Sequence, residues 1–207
     1  MSKERFKKQL GPYLPEASLD LVFEWLKEEP VRLKITKPRS SKLGDFRVNS
    51  LKGPAQISVN GNLNPYSFLI TLTHEIAHYR DFVERRHLRN AHGEHWQRHY
   101  RKLLMELQEA MEFPADLKSA LDQHIARPKA ASCSDPKLND ALRKYDSNPG
   151  IRLKDLHEKA RFTLSTGREF VRHELRRTRY KCQEVKTGKW YLIHGEVEVM
   201  QVNPDKS

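Results

Sequence analysis

Apolar positions recur along this chain at two different periods, and the change of period divides it. Over residues 16–29 (EASLDLVFEWLKEE), Leu19, Val22, Phe23 and Leu26 fall at helical spacing, with Pro15 ahead of them and Pro30 ending the run. Three short extended segments follow, Val31–Thr36, Asp45–Asn49 and Gln56–Asn60. Each is bounded by Gly, Pro or a Ser/Lys cluster, which predicts a small sheet. Asn64-Pro65 then reads as an N-cap followed by proline at the first helical position. Phe68, Leu69, Leu72, Ile76, Tyr79 and Val83 carry one apolar face on to about Arg85.

The pattern breaks around His87–Ala91. It resumes from about His92 as a second long helix with Trp96, Tyr100, Leu103, Leu104 and Leu107 on one side. Phe113-Pro114 opens a shorter helix to about Ile125. Ala126–Pro136 is small, polar and proline-containing, the texture of a linker. Asp135–Asp146 is a further helix candidate, and Ser147–Gly150 a turn. From Arg161 onward Phe170, Val171, Tyr180, Trp190, Tyr191, Ile193, Val197 and Val199 sit in short runs broken by Thr166-Gly167, Thr187-Gly188 and Gly195, which predicts strands. The expected class is α+β. The expected division is a core over residues 1–126, a helical or linker segment over 127–150 and a β-rich region over 151–207.

Composition narrows the class. With 37% hydrophobic residues among 207, the chain holds enough apolar mass for a core beneath a strongly polar surface. No apolar run approaches the roughly 20 residues of a membrane span. The opening MSKERFKKQL lacks the apolar segment of a signal peptide. Cys133 and Cys182 are the two cysteines, too few for a disulfide framework, so the expected location is the reducing cytoplasm. A net charge of +11 points either to an anionic partner such as nucleic acid or to plain solubility.

The candidate chemistry lies in LTHEIAHYRDF. His74 and His78, four apart on a helix, project from nearly one face and can converge on one Zn²⁺, with Glu75 beside them as a general base. A catalytic zinc keeps three protein ligands and an open position. A metzincin would need Gly at position 81 and His at position 84, where this chain has Asp81 and Glu84. A thermolysin-like Glu from the next helix has Glu94, Glu106 and Glu109 as candidates, none distinguished. His92, before Gly93 at the start of that helix, fits best. His95 is a rival and His87 a weaker one.

HEIAH, a loop, then HGEHW resembles the SprT-like metalloprotease family, which includes the Spartan repair proteases. Gly44-Asp45-Phe46-Arg47 and the Ile57-Ser58-Val59 strand are also similar, so the likeness covers about residues 15–110. The resemblance implies that His74, His78 and His92 bind one zinc, that Glu75 is the catalytic base, and that the core is gluzincin-like. It further implies proteolysis of DNA-bound or crosslinked proteins with DNA as activator; other bacterial members carry a link to transcription elongation. Many relatives follow the core with a Cys-rich zinc ribbon. Here Cys182 alone lies near that place, and one cysteine cannot close a structural zinc site. The implied tail is a ribbon without its metal.

Residues 161–190 hold nine Lys/Arg against three Glu. Arg168, Arg172, Arg176, Arg177, Arg179 and Lys181 are the candidate nucleic-acid contacts, with single strands suggested by the interleaved aromatics. Tyr180, Trp190 and Tyr191 themselves read as core of the small unit. Two other functions compete with proteolysis: a zinc- and nucleic-acid-binding adaptor without activity, and a metallohydrolase for a non-protein substrate.

Overall fold

The computed structural model describes residues 2–27, 30–39, 42–48, 54–86, 91–128 and 135–203. They form two compact units, residues 1–147 and 148–207, each with its own buried cluster. The fold is mixed α+β.

In the first unit, Ser2 caps α1 (Lys3–Leu10), accepting from the Arg5 N–H at 3.4 Å. The charged opening of the chain hides two core residues one turn apart, Phe6 and Leu10. The helix expected over 16–29 is a 3₁₀ turn, Glu16–Ser18, leading into α2 (Leu19–Leu26), which buries Leu19, Val22 and Trp25. Three strands follow: β1 (Val31–Thr36), β2 (Gly44–Arg47) and β3 (Ala55–Asn60). The sheet order is β1-β3-β2. β3 runs parallel to β1, and β2 lies antiparallel to β3 at the sheet's edge. β3 is the central strand, and its Ile57 and Val59 are fully buried.

β3 feeds α3 (Pro65–Arg85), whose N-cap is as the sequence indicates: Asn64 accepts from the Ser67 N–H at 2.9 Å and Pro65 takes the first helical position. From Phe68 to Ala77 every side chain of α3 is buried, so this helix is packed on all sides rather than along one stripe. It ends where Arg86 adopts φ 59°, a left-handed C-terminal turn. The next helix, α4 (Glu94–Ala110), begins two residues later than expected, with Gly93 as N-cap, and packs against α3 through Trp96, Tyr100, Leu103, Leu104 and Leu107. α5 (Ala115–Ala126) and α6 (Pro136–Arg143) complete the unit and pack on each other. The helix anticipated within the 127–150 segment is therefore part of the first unit. Asn64 ties it there, donating to the Leu142 carbonyl at 3.0 Å and to Asp146.

The second unit pairs β4 (Ile151–Arg152) with β9 (Glu198–Val199). Its main sheet has the order β10-β5-β6-β7-β8, antiparallel throughout, built from β5 (Arg161–Thr163), β6 (Glu169–Arg176), β7 (Arg179–Glu184), β8 (Trp190–His194) and β10 (Gln201–Asn203). A register shift interrupts β6 against β7 between Arg172 and Leu175. Phe162, Phe170, Tyr180 and Cys182 fill one face, together with Leu153, Leu156, Ala160 and Val199. No helix among the described residues is long and apolar enough to cross a membrane.

Candidate metal centre

α3 carries His74 and His78 one turn apart on its inner face, and the turn before α4 brings His92 against them. The three Nε2 atoms form a triangle with sides of 3.1 Å (His74–His78), 3.1 Å (His78–His92) and 3.3 Å (His74–His92). Nitrogens at about 2.05 Å from a tetrahedral ion stand about 3.3 Å apart, so the donor set fits one small divalent cation. Among the described residues it is the one group of three His, Cys, Asp or Glu side chains arranged this way.

Trp96 forms the floor. Its ring lies 4.8 Å from His74, 5.4 Å from His78 and 4.8 Å from His92, centroid to centroid, and its indole N–H donates to the His74 carbonyl at 3.4 Å. This apolar wall sets the protonation of the site. Burial, then the neighbouring His78 and His92, hold His74 well below its ordinary value. Burial brings His78 down to about 4 and lowers His92. All three rings are thereby neutral at pH 7, the form that binds a metal.

Glu75 is buried beside them, against the edge strand β2. A β-carbon placed on Gly44 would stand 2.5 Å from the Glu75 Oε1 and 2.7 Å from the Thr71 Cγ2, so glycine at that position lets strand and helix meet. The Phe46 N–H donates to the Glu75 carboxyl. Burial first, and then the negative charge of Asp45, push this carboxyl up to about 8 against the smaller opposing pull of Arg39 and Lys42.

Of the other candidate ligands, His95 and His99 turn away to Glu84. His99 Nε2 lies 2.6 Å and His95 Nδ1 3.7 Å from that carboxylate, which Arg98 also contacts at 2.6 Å. Glu106 accepts from the Trp25 indole at 2.7 Å. His87, and Cys133 likewise, lie outside the described residues. The sequence reading passed over three polar side chains that lead away from the triangle: Tyr100, which it placed among apolar residues and which lies beside His74, then His124 beside Tyr100, and Asp135 bonded to His124.

The six basic candidates of the second unit do not act as a set. Arg168 binds Glu184 at 2.8 Å and lies over the Tyr191 ring at 4.6 Å. Arg172 stacks over Tyr180 at 4.1 Å with its Nε buried, so both serve the unit's own packing. Arg176, Arg177 and Arg179 are exposed, and Lys181 lies over the Trp190 ring at 4.3 Å. The three aromatics also part company. Tyr180 is buried and Tyr191 packs on the core, as expected, but Trp190 is 47% exposed because it alternates outward on β8 with Leu192 and His194. Cys182 is buried in the sheet, where burial pushes its thiol up to about 11.

Comparison of the chain with family models, with curated proteins and with solved structures gives no match.

Proposed function

We propose that this protein is a zinc-dependent metallopeptidase with an SprT-like, gluzincin-type core, acting in the cytoplasm on proteins associated with DNA. The observation that carries this reading is the triangle of neutral imidazoles with a buried carboxyl on the same helix turn. Three nitrogen donors with no thiolate or carboxylate favour zinc among the common divalent ions. When bound, such an ion polarises a carbonyl and acidifies a coordinated water.

The chain's own groups do the rest. Glu75 takes a proton at its carboxylate and returns it to the leaving amine. A carboxyl lifted toward neutrality can do both without a large energetic step in either direction. A neighbouring dication favours its ionised form, against the burial that raises it to about 8. Trp96 and the packed face of α3 keep bulk water from the inner side of the histidines. Peptide, rather than another substrate, is favoured by β2. Leu43 accepts from the Asn60 N–H at 2.9 Å, and the alternation of an antiparallel ladder then turns the backbone groups of Gly44 and Phe46 toward the outer edge, where the Phe46 N–H meets the Glu75 carboxyl. An extended segment adding to that edge passes beside Glu75.

Association with nucleic acid is supported by the outward face of the second unit. Arg176, Lys181, Trp190 and Leu192 border a shallow hollow there, and cations beside an exposed indole suit phosphates and unstacked bases.

Incubation of a DNA-crosslinked protein with the wild type and with Glu75→Gln, each with and without single-stranded DNA, tests the assignment. The expected result is zinc in both proteins at one equivalent and cleavage by the wild type alone, stimulated by the DNA. Cleavage by Glu75→Gln at the wild-type rate would refute the role of Glu75. Zinc binding without cleavage by either protein would favour an adaptor.

A further inference from the structure

Three buried polar atoms behind the histidine triangle have no hydrogen-bond partner among the described residues: His74 Nδ1, the Tyr100 hydroxyl and His124 Nε2. They are neighbours. The Tyr100 ring lies 5.5 Å from that of His74 and 5.7 Å from that of His124, centroid to centroid, at steep angles of 74° and 81°. His124 is completely buried, and its Nδ1 lies 2.9 Å from Oδ2 of Asp135, the N-cap of α6.

The donors and acceptors of this group match in one direction. A metal at Nε2 of His74 leaves the ring proton on Nδ1, which must then donate. His124 Nδ1 faces Asp135, and the tautomer that donates there presents a lone pair at Nε2, an acceptor. A tyrosine hydroxyl does both. Three separate orphans at one spot would cost roughly 1–3 kcal/mol each, whereas one connected chain satisfies them all.

Resting on the metal-centre reading, we infer that Asp135, His124 and Tyr100 form a positioning relay for His74. The relay runs through buried water from the His74 Nδ1–H to the Tyr100 oxygen and from the Tyr100 hydroxyl to His124 Nε2, and directly from the His124 Nδ1–H to Asp135. The relay fixes the tautomer and the ring angle of His74, and so aims its Nε2 lone pair into the triangle. It also gives α5 and α6 a part in the metal centre: they hold the far end of the chain of bonds.

The full-length protein tests this by two readouts, zinc affinity from chelator competition and the ¹⁵N-detected Nδ1–H resonance of His74 in the zinc-loaded state. Tyr100→Phe keeps the ring and removes the hydroxyl. It is expected to weaken zinc binding by roughly tenfold to a hundredfold and to shift the His74 resonance. Asp135→Asn leaves every side chain next to His74 intact but no longer enforces the His124 tautomer, and it is expected to move both readouts the same way. This second variant decides the matter should Tyr100→Phe fail to fold. Wild-type affinity and an unshifted His74 resonance in a folded variant would overturn the relay while leaving the metal centre standing. A wild-type protein that takes up no zinc would overturn both.

Discussion

Glu75 and His78 sit one turn apart yet are pushed in opposite directions by the same burial, one carboxyl up to about 8 and one imidazole down to about 4. Each shift makes the stability of the metal-free protein depend on pH. In the unfolded chain Glu75 ionises near 4.5, its ordinary value, so between about 4.5 and 8 the folded form holds the extra proton and stability falls as pH rises. For His78 the unfolded state holds the extra proton between about 4 and 6.5, so that contribution is lost as pH falls through the window. Above pH 6.5 the Glu75 slope is the one that remains, at most about 1.4 kcal/mol for each pH unit. Glu75→Gln keeps the neutral shape of the side chain and removes the slope. Metal-free Glu75→Gln is therefore expected to melt progressively higher than metal-free wild type from pH 6.5 to 8. Parallel melting curves across that range would show that the carboxyl is not held neutral. That a carboxyl belonged beside the two histidines was legible from the HEIAH spacing alone. Its lifted value was not, because it depends on Asp45 and on the edge of a strand thirty residues upstream in the chain.

Elements were readable where their cause is local. Asn64-Pro65 set the start of α3, and the bounds of β1 followed from the residues at its ends, as did the end of β3, which starts one residue earlier than expected. α1 escaped the reading because two buried residues among so many charges give a weak period, although Phe6 and Leu10 are both core. β4 could not be seen at all: two residues become a strand only through pairing with Glu198 and Val199, far along the chain. Gly44 marks the boundary between the two cases. A glycine in a strand signals close approach of a neighbour, but only the packing of β2 on α3 shows that the neighbour is Glu75 itself. Gly44→Ala forces strand and helix apart or turns the Glu75 side chain. A cost of roughly 1–3 kcal/mol in stability is expected, measurable by denaturant unfolding, with loss of cleavage. Combining it with Glu75→Ala removes the contacts the methyl makes with Glu75 and leaves only that with Thr71. The double variant should therefore be more stable than the sum of the two single effects requires. Full additivity, or an unperturbed Gly44→Ala, would mean that β2 and α3 do not touch as described.

At the scale of the molecule, the first unit holds the histidine triangle and the second the whole of the basic segment 161–190. The sequence made the charge of residues 161–190 plain but not its distribution over the two faces of a sheet, which depends on the register of β7 against β8. That register places Lys181 opposite Leu192 and Gln183 opposite Trp190 on the outward face, while Tyr180 and Cys182 point into the core. Arg168 and Arg172 are engaged within the unit, so removing them should destabilise it and confound any effect on binding. Trp190 and Lys181 can be changed without opening the core. Trp190→Ala removes a stacking surface worth about 1–3 kcal/mol per base, an expected loss of fivefold to a hundredfold in affinity for a short single strand. Lys181→Gln removes one phosphate contact, which should flatten the dependence of log affinity on log salt by about 0.7 for a single strand. Neither change should alter zinc affinity, because the metal ligands lie in the other unit's core. If both variants bind single strands as the wild type does at every salt concentration, the exposed indole and its lysine belong to some other contact, and the basic charge is solubility alone.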